Sequence, residues 1–470
     1  MKRSFILLSL VCAGAFASQQ EYLVKLKMSP EEFTANQGGK VELVSAPGHL
    51  YLWKIDTSRN LLKLRASGVE FVEQNHKIRL IDNPSITGQQ TAIKTALTQI
   101  SLERGNAFPD NPDIKDSETE TSGTDPLISN SWGLELIGAN KAWAKLPQGQ
   151  EIVVAVTDTG VDYNHVDLSK NMWRNKGEVP GDGIDNDNNG YVDDIVGWDF
   201  YSNDNKPYDL TLSLIDILLS GGNPGHGTHV SGVVGARLNN SLGTAGVAPQ
   251  VKIMGLRFIS EKGQGDSASA IKAIDYAVAM GAKVINASWG SEGEEEGDAS
   301  LREAIQRAEA KGVLFVAAAG NGRVDQTTQQ PAGFNNDTDT KPMYPCSYPY
   351  ENIIAVAAID SDLNLAKFSN FGPKTVDIAA PGVKIMSTVP GNKYQDTIID
   401  FGQMKVTWDG TSMASPFVAG SAAVLWSMDP SLSSKEIKEK LFGKAVGVGA
   451  VSGKVLTSGR VDVAGLIQSK

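Results

Sequence analysis

From Asp125 onward the chain alternates short, unbroken apolar runs with longer stretches whose apolar residues recur every three or four positions. The runs EIVVAVT (151–157), VKIMGLRFI (251–259), AKVINAS (282–288), GVLFVAAA (312–319), ENIIAVAAI (351–359) and VDIAA (376–380) have the length and β-branched content of strands. The stretches SASAIKAIDYAVAMG (267–281), SLREAIQRAEAKG (300–312), SPFVAGSAAVLWSM (415–428) and SSKEIKEKLFGK (433–444) carry helical periodicity. Strands apolar on both faces and separated by helices predict an α/β fold: a doubly wound, mostly parallel sheet with helices on both faces. In such a sheet ligands bind beyond the carboxyl ends of the strands, so functional residues are expected just after the apolar runs.

Before Asp125 the pattern is different. Residues 18–82 read as a small α+β unit, in which EYLVKLKM and HLYLWKID alternate as strands do and VEFVEQNHKIRLI closes the segment. Residues 83–124 turn to Asn, Pro, Asp, Ser, Thr and Glu, with SETETSGTD as the most polar part, and read as a linker; within it TAIKTALTQISLERG has the pattern of a helix. Residues 1–17 combine a basic start, MKR, an apolar run too short to span a bilayer comfortably, and the small residues Ala15 and Ala17, which together predict a cleaved secretion signal. The residues before Cys12 lack the small side chain expected ahead of a lipidated cysteine. The catalytic chemistry is therefore expected in residues 125–470, outside the cytoplasm, whether extracellular or periplasmic, and with no membrane attachment once the signal is removed.

Cysteine and charge narrow the picture further. Removing the signal takes away Cys12 and leaves Cys346 alone, so stability outside the cell must come from core size, metal ions or tight loops rather than from a disulfide. Residues 125–470 carry 29 Lys and Arg against 40 Asp and Glu, a balance of −11. That surface argues against nucleic acid and anionic membranes, both of which need cations to neutralise phosphate.

Three polar residues follow apolar runs where the fold predicts function: Asp158 after EIVVAVT, Ser288 after AKVINA and Asn321 after GVLFVAAAG. To these the motifs PGHGTHV and DGTSMASPFVAG add His226, His229 and Ser412 at the starts of apolar stretches. Each fragment alone has a plain reading: DTG as a turn, the two histidines as ligands on one helical face, GTS as a helix cap. No second DTG or DSG exists to make an aspartic dyad. A carboxylate, an imidazole and a hydroxyl together are the parts of an activated serine nucleophile.

Taken jointly, DTG, GHGTHV, AAAGN and GTSMASP, in that order, resemble the subtilisin family of serine proteases, and the resemblance runs from about Asp125 to Val463, including SWGLELIGANKAW and SGRVDVAGL. It implies a serine endopeptidase acting on protein or peptide substrates as a monomer. Asp158, His226 and Ser412 would form the triad, Asn321 and the Ser412 amide would hold the oxyanion, and His229 would be a structural neighbour. Substrate would pair as an extended strand with Ser288, Trp289 and Gly290 on one side and Gly263, Gln264 and Gly265 on the other, with Ala318, Ala319 and Gly320 walling the pocket before the cut bond. Residues 18–82 resemble the family's propeptide, a partner that would act as folding template and inhibitor until cut away. Trp289 is bulky for its place and is expected to narrow the upstream subsites. Glu292, Glu294, Glu295 and Glu296 follow it, either favouring Lys or Arg upstream in the substrate or forming a solvated acidic loop.

Two segments suggest structural Ca2+. In GDGIDNDNNGYVDD the residues Asp185, Asp187, Asn189, Tyr191 and Asp193 place oxygen donors at alternate positions around Gly190, although Val196 stands where an EF-hand needs Glu. The second is implied by the resemblance: Asp167 in HVDL with LNNSLGT, giving Asp167, Asn240 and the carbonyls of Leu238, Leu242 and Thr244. Segments 201–224, with LTLSLIDILLSG, and 323–349, with Cys346, depart from the compact family core; the first reads as a lid or, more simply, as packing, and Cys346 as a small buried filler or a reactive thiol. A catalytically silent family member is the chief rival reading, but no triad residue is missing. A calcium-dependent adhesion module rests on the acidic loop alone.

Overall fold

The computed structural model describes residues 20–55, 68–81, 83–87, 111–115, 122–147, 149–293, 297–402 and 404–467. The signal, the helix expected at 91–105 and Glu294–Glu296 lie outside these residues. The chain divides into two compact units, residues 1–75 and 76–470.

The first unit is α+β. Its antiparallel sheet has the order Lys40–Ser45, Leu50–Ile55, Gln20–Leu26, Val69–Gln74. The helix Pro30–Gln37 starts at Ser29, whose side chain accepts the Glu32 amide, with Pro30 in the first turn where its missing N–H costs nothing. The alternation read from the sequence turns Tyr22, Val24, Leu26, Trp53 and Ile55 inward onto Phe33, whose ring meets Trp53 edge-on at 5.2 Å. The boundary falls at Asn75, earlier than the residue 82 read from the sequence, because Lys77–Leu80 pairs within the second unit.

The second unit is built on a nine-stranded sheet in the order Val446–Gly447, Gly459–Arg460, Ile378–Pro381, Ile353–Ile359, Leu314–Ala318, Val284–Ala287, Val153–Asp158, Lys252–Arg257, Gly197–Asp199. All neighbours are parallel except the first pair. Residues of the central strands are buried on both faces, which explains why they read as continuous apolar runs. Val154, Val156, Val316 and Val356 pack with Phe417, Val418 and Val230 from the helices Thr411–Met428 and His226–Gly235. The helices Ser267–Ala279 and Ala299–Ala310 touch each other and the sheet, capped by Asp266 and Asp298. Each fully buried Val, Leu or Ile contributes about 1.5–3 kcal/mol, so this core is a large stabilising term.

Register fixes the functional edge. Thr157, Ala287 and Ala317 lie side by side, so the residues that follow them emerge together at the carboxyl end of the sheet. Among the described residues no helix is long and apolar enough to cross a membrane.

Candidate active site

Asp158 ends its strand fully buried, and His226 opens its helix with 5% exposure. Their side chains meet: His226 Nδ1 lies 2.8 Å from Asp158 Oδ1, which also accepts the Thr159 amide at 2.7 Å. The helix is started by Asn223, whose Oδ1 accepts the amides of Gly225 and His226 at 2.8 and 2.6 Å. Gly227 has no room for a side chain, since a Cβ there would lie 2.0 Å from Gly160 O. That close approach brings the helix start against the turn after Asp158.

Behind this pair stands Asp209, fully buried, which the sequence reading passed over. It accepts Thr159 Oγ1 at 2.9 Å, the Thr228 amide at 2.9 Å, Thr228 Oγ1 at 2.7 Å and the Asn223 amide group. Burial pushes its carboxyl upward and these donors pull it back. Through Asn223 and Thr159 it holds the turns on both sides of His226. His229 is the structural neighbour that was expected: it stacks on Trp408 at 4.2 Å, bonds Ile385 O, and burial lowers its pKa to about 3, so it stays neutral.

The helix carrying Ser412 begins at Thr411, earlier than the apolar pattern from Ser415 suggested. Pro416 lies inside it and cannot donate to the Ser412 carbonyl. Ser288 Oγ supplies that bond at 2.9 Å, and Ser412 Oγ in return donates to Ser288 O at 3.1 Å. Ser412 and His226 line one cavity of about 350 Å³. His226 Nε2 is buried with no hydrogen-bond partner among the described residues. The expected hydroxyl–imidazole bond is therefore not formed here, because the hydroxyl donates to the Ser288 carbonyl.

Asn321 follows the strand Leu314–Ala318. Its Oδ1 accepts the Thr411 amide and hydroxyl at 2.8 and 2.9 Å, which turns its amide nitrogen toward Gly410. Gly410 has φ +152°, and a Cβ on it would meet that nitrogen at 3.1 Å. The Ser412 amide is one of the first-turn N–H groups of an 18-residue helix, at the positive end of its dipole. A Cβ on Gly410 would lie 3.1 Å from the Asn321 nitrogen and 3.6 Å from the Ser412 amide nitrogen, so the two donors border the same space.

The edges expected to hold substrate are occupied by the chain itself. Lys77–Leu80 is the middle strand between Trp289–Glu292 and Gln264–Asp266, antiparallel to both. Leu80 pairs with Trp289, Arg79 with Gly290 and Gln264, and Ile78 with Gly265, while the Leu80 amide donates to Gly263 O at 2.9 Å. The Trp289 side chain departs from expectation: it points into the core, bonds Thr157 Oγ1 at 3.0 Å and meets Phe258 edge-on, so it narrows no subsite. Ala318 and Ala319 are fully buried, and Ala319 packs against Ala357 and Ile359. Gly320 donates to Thr411 Oγ1. Glu292 is ion-paired at 2.9 Å with Arg323, which also forks onto Asp339, so this carboxylate is already matched. Cys346 is buried and its thiol is pushed up to about 12, which fits the filler rather than the reactive thiol.

The two calcium candidates differ. In the acidic loop the carboxylates that converge within 4.8 Å are Glu178, Asp187 and Asp194. Of the residues read from spacing, Asp185 instead accepts the amides of Asn189 and Gly190, Asp193 accepts those of Gly181 and Gly183, and Asn189 Oδ1 accepts that of Tyr191. The Tyr191 ring packs edge-on to Trp198, Phe200 and Tyr276. Asp187 is common to the spaced set and to the converging group, and Asp185 and Asp187 both accept the Asn189 amide, at 3.1 Å each. At the other candidate, Asp167 is fully buried with Oδ2 unpartnered, and burial pushes its carboxyl up to about 7. Asp125, also buried, raises it further and was not foreseen. The carbonyls of Asn239 and Gly243 are taken by Gly123 and Leu127, whereas those of Leu238, Leu242 and Thr244 accept no hydrogen bond among the described residues. A buried carboxylate with one oxygen unpartnered, together with three uncommitted carbonyls, is a donor set that suits a hard cation, while Asn240 turns its amide nitrogen to Asp167 Oδ1 at 2.6 Å and its oxygen accepts the Leu242 amide.

Comparison with known proteins agrees with this geometry. The family model described as "Subtilase family" matches residues 149–460. "Subtilisin-like protease 2" of Plasmodium falciparum (isolate 3D7) is 33% identical over 308 residues, covering 64% of this chain and 19% of that protein. "Thermophilic serine proteinase" of Bacillus sp. (strain AK1) is 38% identical over 311 residues, covering 66% of this chain and 60% of that protein. Among solved structures, fervidolysin from Fervidobacterium pennivorans, described as a keratinolytic enzyme related to subtilisin, aligns with a TM-score of 0.66 at 25% identity, covering 97% of this chain and 62% of that one. The chain spans less than two thirds of the length of each of these three proteins.

Proposed function

The chain belongs to the subtilase family, and from that premise we propose that it is a secreted serine endopeptidase, made as a precursor whose first substrate is its own Ile81–Asp82 bond. The observation that carries this is the strand Lys77–Leu80 lying in register between the two cleft edges. Continuing the pairing of Leu80 with Trp289 by one residue brings Ile81 opposite Ser288, and the Ser288 carbonyl holds the Ser412 hydroxyl. Ile81, which lines the same cavity as Ser412, would then be the residue attacked, with Leu80 and Arg79 upstream of it.

In the reaction His226 Nε2 takes the proton of Ser412 Oγ as that oxygen bonds to the Ile81 carbonyl carbon. Asp158 holds Nδ1–H and stabilises the imidazolium. The carbonyl oxygen becomes an oxyanion met by Asn321 and the Ser412 amide. His226 then gives its proton to the Asp82 nitrogen, the Ile81–Asp82 bond breaks, and an ester joins Ile81 to Ser412. Water, deprotonated by His226, releases Ile81 as a carboxylate and restores the hydroxyl. Other proteins would be cut by the same steps once the strand has left. Lys77 and Arg79 share a cavity wall with Glu292, but Arg323 lies on that wall too and already pairs with Glu292, so no preference for basic residues upstream is built on this carboxylate.

Freshly produced wild-type chain, sampled early and at high dilution, is expected to give a fragment ending at Ile81 and a partner beginning at Asp82 by intact mass and N-terminal sequencing. A first cut elsewhere would refute the register argument.

Ca2+ would be held by Asp167, Asn240 and the carbonyls of Leu238, Leu242 and Thr244, with Asp125 beside them. When bound it supplies positive charge to buried carboxylates and takes part in no bond change. Chelation is expected to lower Tm by about 5–10 °C, corresponding to the roughly 4 kcal/mol gained at a thousandfold excess over Kd. Asp167→Ala should melt low with or without calcium; an unchanged wild-type Tm after chelation would remove the site.

A further inference from the structure

Downstream of the proposed cut the chain is held by parts of the second unit that the chemistry does not use. Asn83 Nδ2 donates to Thr407 O at 3.0 Å, and Asn83 O and Oδ1 accept the Ile86 amide at 3.1 and 3.3 Å. With Pro84 next, this closes the short helical turn Pro84–Thr87, which bends the chain and presents Ile86 inward. Ile86 is only 5% exposed. It packs with Ile217 and Leu218 of the helix Leu214–Ser220 and with Ile399, Met404 and Val406 of the hairpin formed by Thr397–Phe401 and Met404–Thr407. Ile86 also lines the cavity that contains His226 and Ser412, so the cluster is continuous with the catalytic cleft.

These five partners form a cluster separate from the main core, and the helix that supplies two of them lies in the segment read as a lid or as packing. Its occupant belongs to the segment just beyond the bond to be broken, whereas its walls belong to the body of the enzyme. We propose that Ile217, Leu218, Ile399, Met404 and Val406 form a substrate subsite that takes an apolar side chain five residues after the cleaved bond, with Ile86 as its first occupant. This rests on the reading of Ile81–Asp82 as the bond cut. An extended chain would carry its fifth residue past the cluster. The subsite therefore favours substrates that turn after the cut, as Asn83-Pro84 does.

The test uses full-length chain carrying Ile86→Asp, allowed to process to completion, so that its own segment does not compete. It is given peptides of the sequence Lys-Ile-Arg-Leu-Ile-Asp-Asn-Pro-Ser-Xaa-Thr with Xaa as Ile, Leu, Ser or Asp. The Ile peptide is expected to be cut at Ile–Asp with kcat/KM at least about tenfold above the Asp peptide, the discrimination one apolar side chain supplies. In the same enzyme Val406→Asp or Leu218→Asp should bring the ratio toward one. Cutting of all four peptides at equal rates would overturn the subsite while leaving the cut bond intact. If casein is degraded but no peptide is cut at Ile–Asp, the bond assignment fails and the subsite with it. If nothing is hydrolysed, it is the peptidase reading that fails.

Discussion

Chain carrying Ser412→Ala is expected to accumulate uncut at Ile81–Asp82 and to hydrolyse casein slower than wild type by on the order of a millionfold, the magnitude known for subtilisin itself. Folding should hardly notice. Ser412 Oγ makes one hydrogen bond, to Ser288 O, and losing it costs about 0.5–1.5 kcal/mol. The bond that supports the helix start, from Ser288 Oγ to the Ser412 carbonyl, survives the substitution. Tm should therefore stay within a few degrees of wild type, and that separates loss of chemistry from loss of fold. Mass spectrometry of the two proteins produced side by side is the measurement. If Ser412→Ala arrives already cut at Ile81, another protease makes that cut and the precursor reading is wrong.

The triad was legible because each of its members sits in a dense local motif and because the strand ends put those motifs on one edge. Asp158 and Asn321 follow apolar runs that lie in register on either side of Val284–Ala287, so both emerge at the same end of the sheet. Asp209 and Asp125 were not legible. Each is a single carboxylate with no motif around it, and its role exists only once folding brings Asn223 and Thr159, or Asp167, against it.

VEFVEQNHKIRLI read as one segment, yet Val69–Gln74 and Lys77–Leu80 belong to different sheets. Strand alternation reports that a residue pairs, and is silent about its partner. The acidic loop was legible in part: Asp187 joins Glu178 and Asp194 in one group of carboxylates, and Glu178 lies outside the spaced motif, where spacing could not point to it. Trp289 misled through size: a large apolar side chain at a strand end is as ready to fill the core as to wall a cleft, and here the Thr157 hydroxyl gives its indole N–H a buried partner.

Asp158→Asn is expected to lower kcat by on the order of ten-thousandfold with little change in KM. The substituted amide has two orientations, and both are poor. With its oxygen kept toward Thr159 N–H and His226, the tautomer of the imidazole is preserved, but the acceptor is neutral and the imidazolium formed in the reaction loses its counter-charge. The amide nitrogen then occupies the place of Asp158 Oδ2, which is buried and has no partner, leaving a donor unsatisfied at about 1–3 kcal/mol. With the amide reversed, its nitrogen faces the Thr159 amide, donor against donor at the 2.7 Å contact, and its N–H forces His226 to carry its proton on Nε2, where it can no longer accept one from Ser412. The first orientation is favoured by Thr159, so the loss is expected to come mainly from the missing counter-charge to the imidazolium rather than from the wrong tautomer. Steady-state kinetics across pH on a peptide ending in Ile-Arg-Leu-Ile before the cut bond measures this. A loss smaller than about tenfold would mean that the carboxylate orienting His226 is not Asp158, and Asp209, which bonds the turns on both sides of the imidazole, would be next to test.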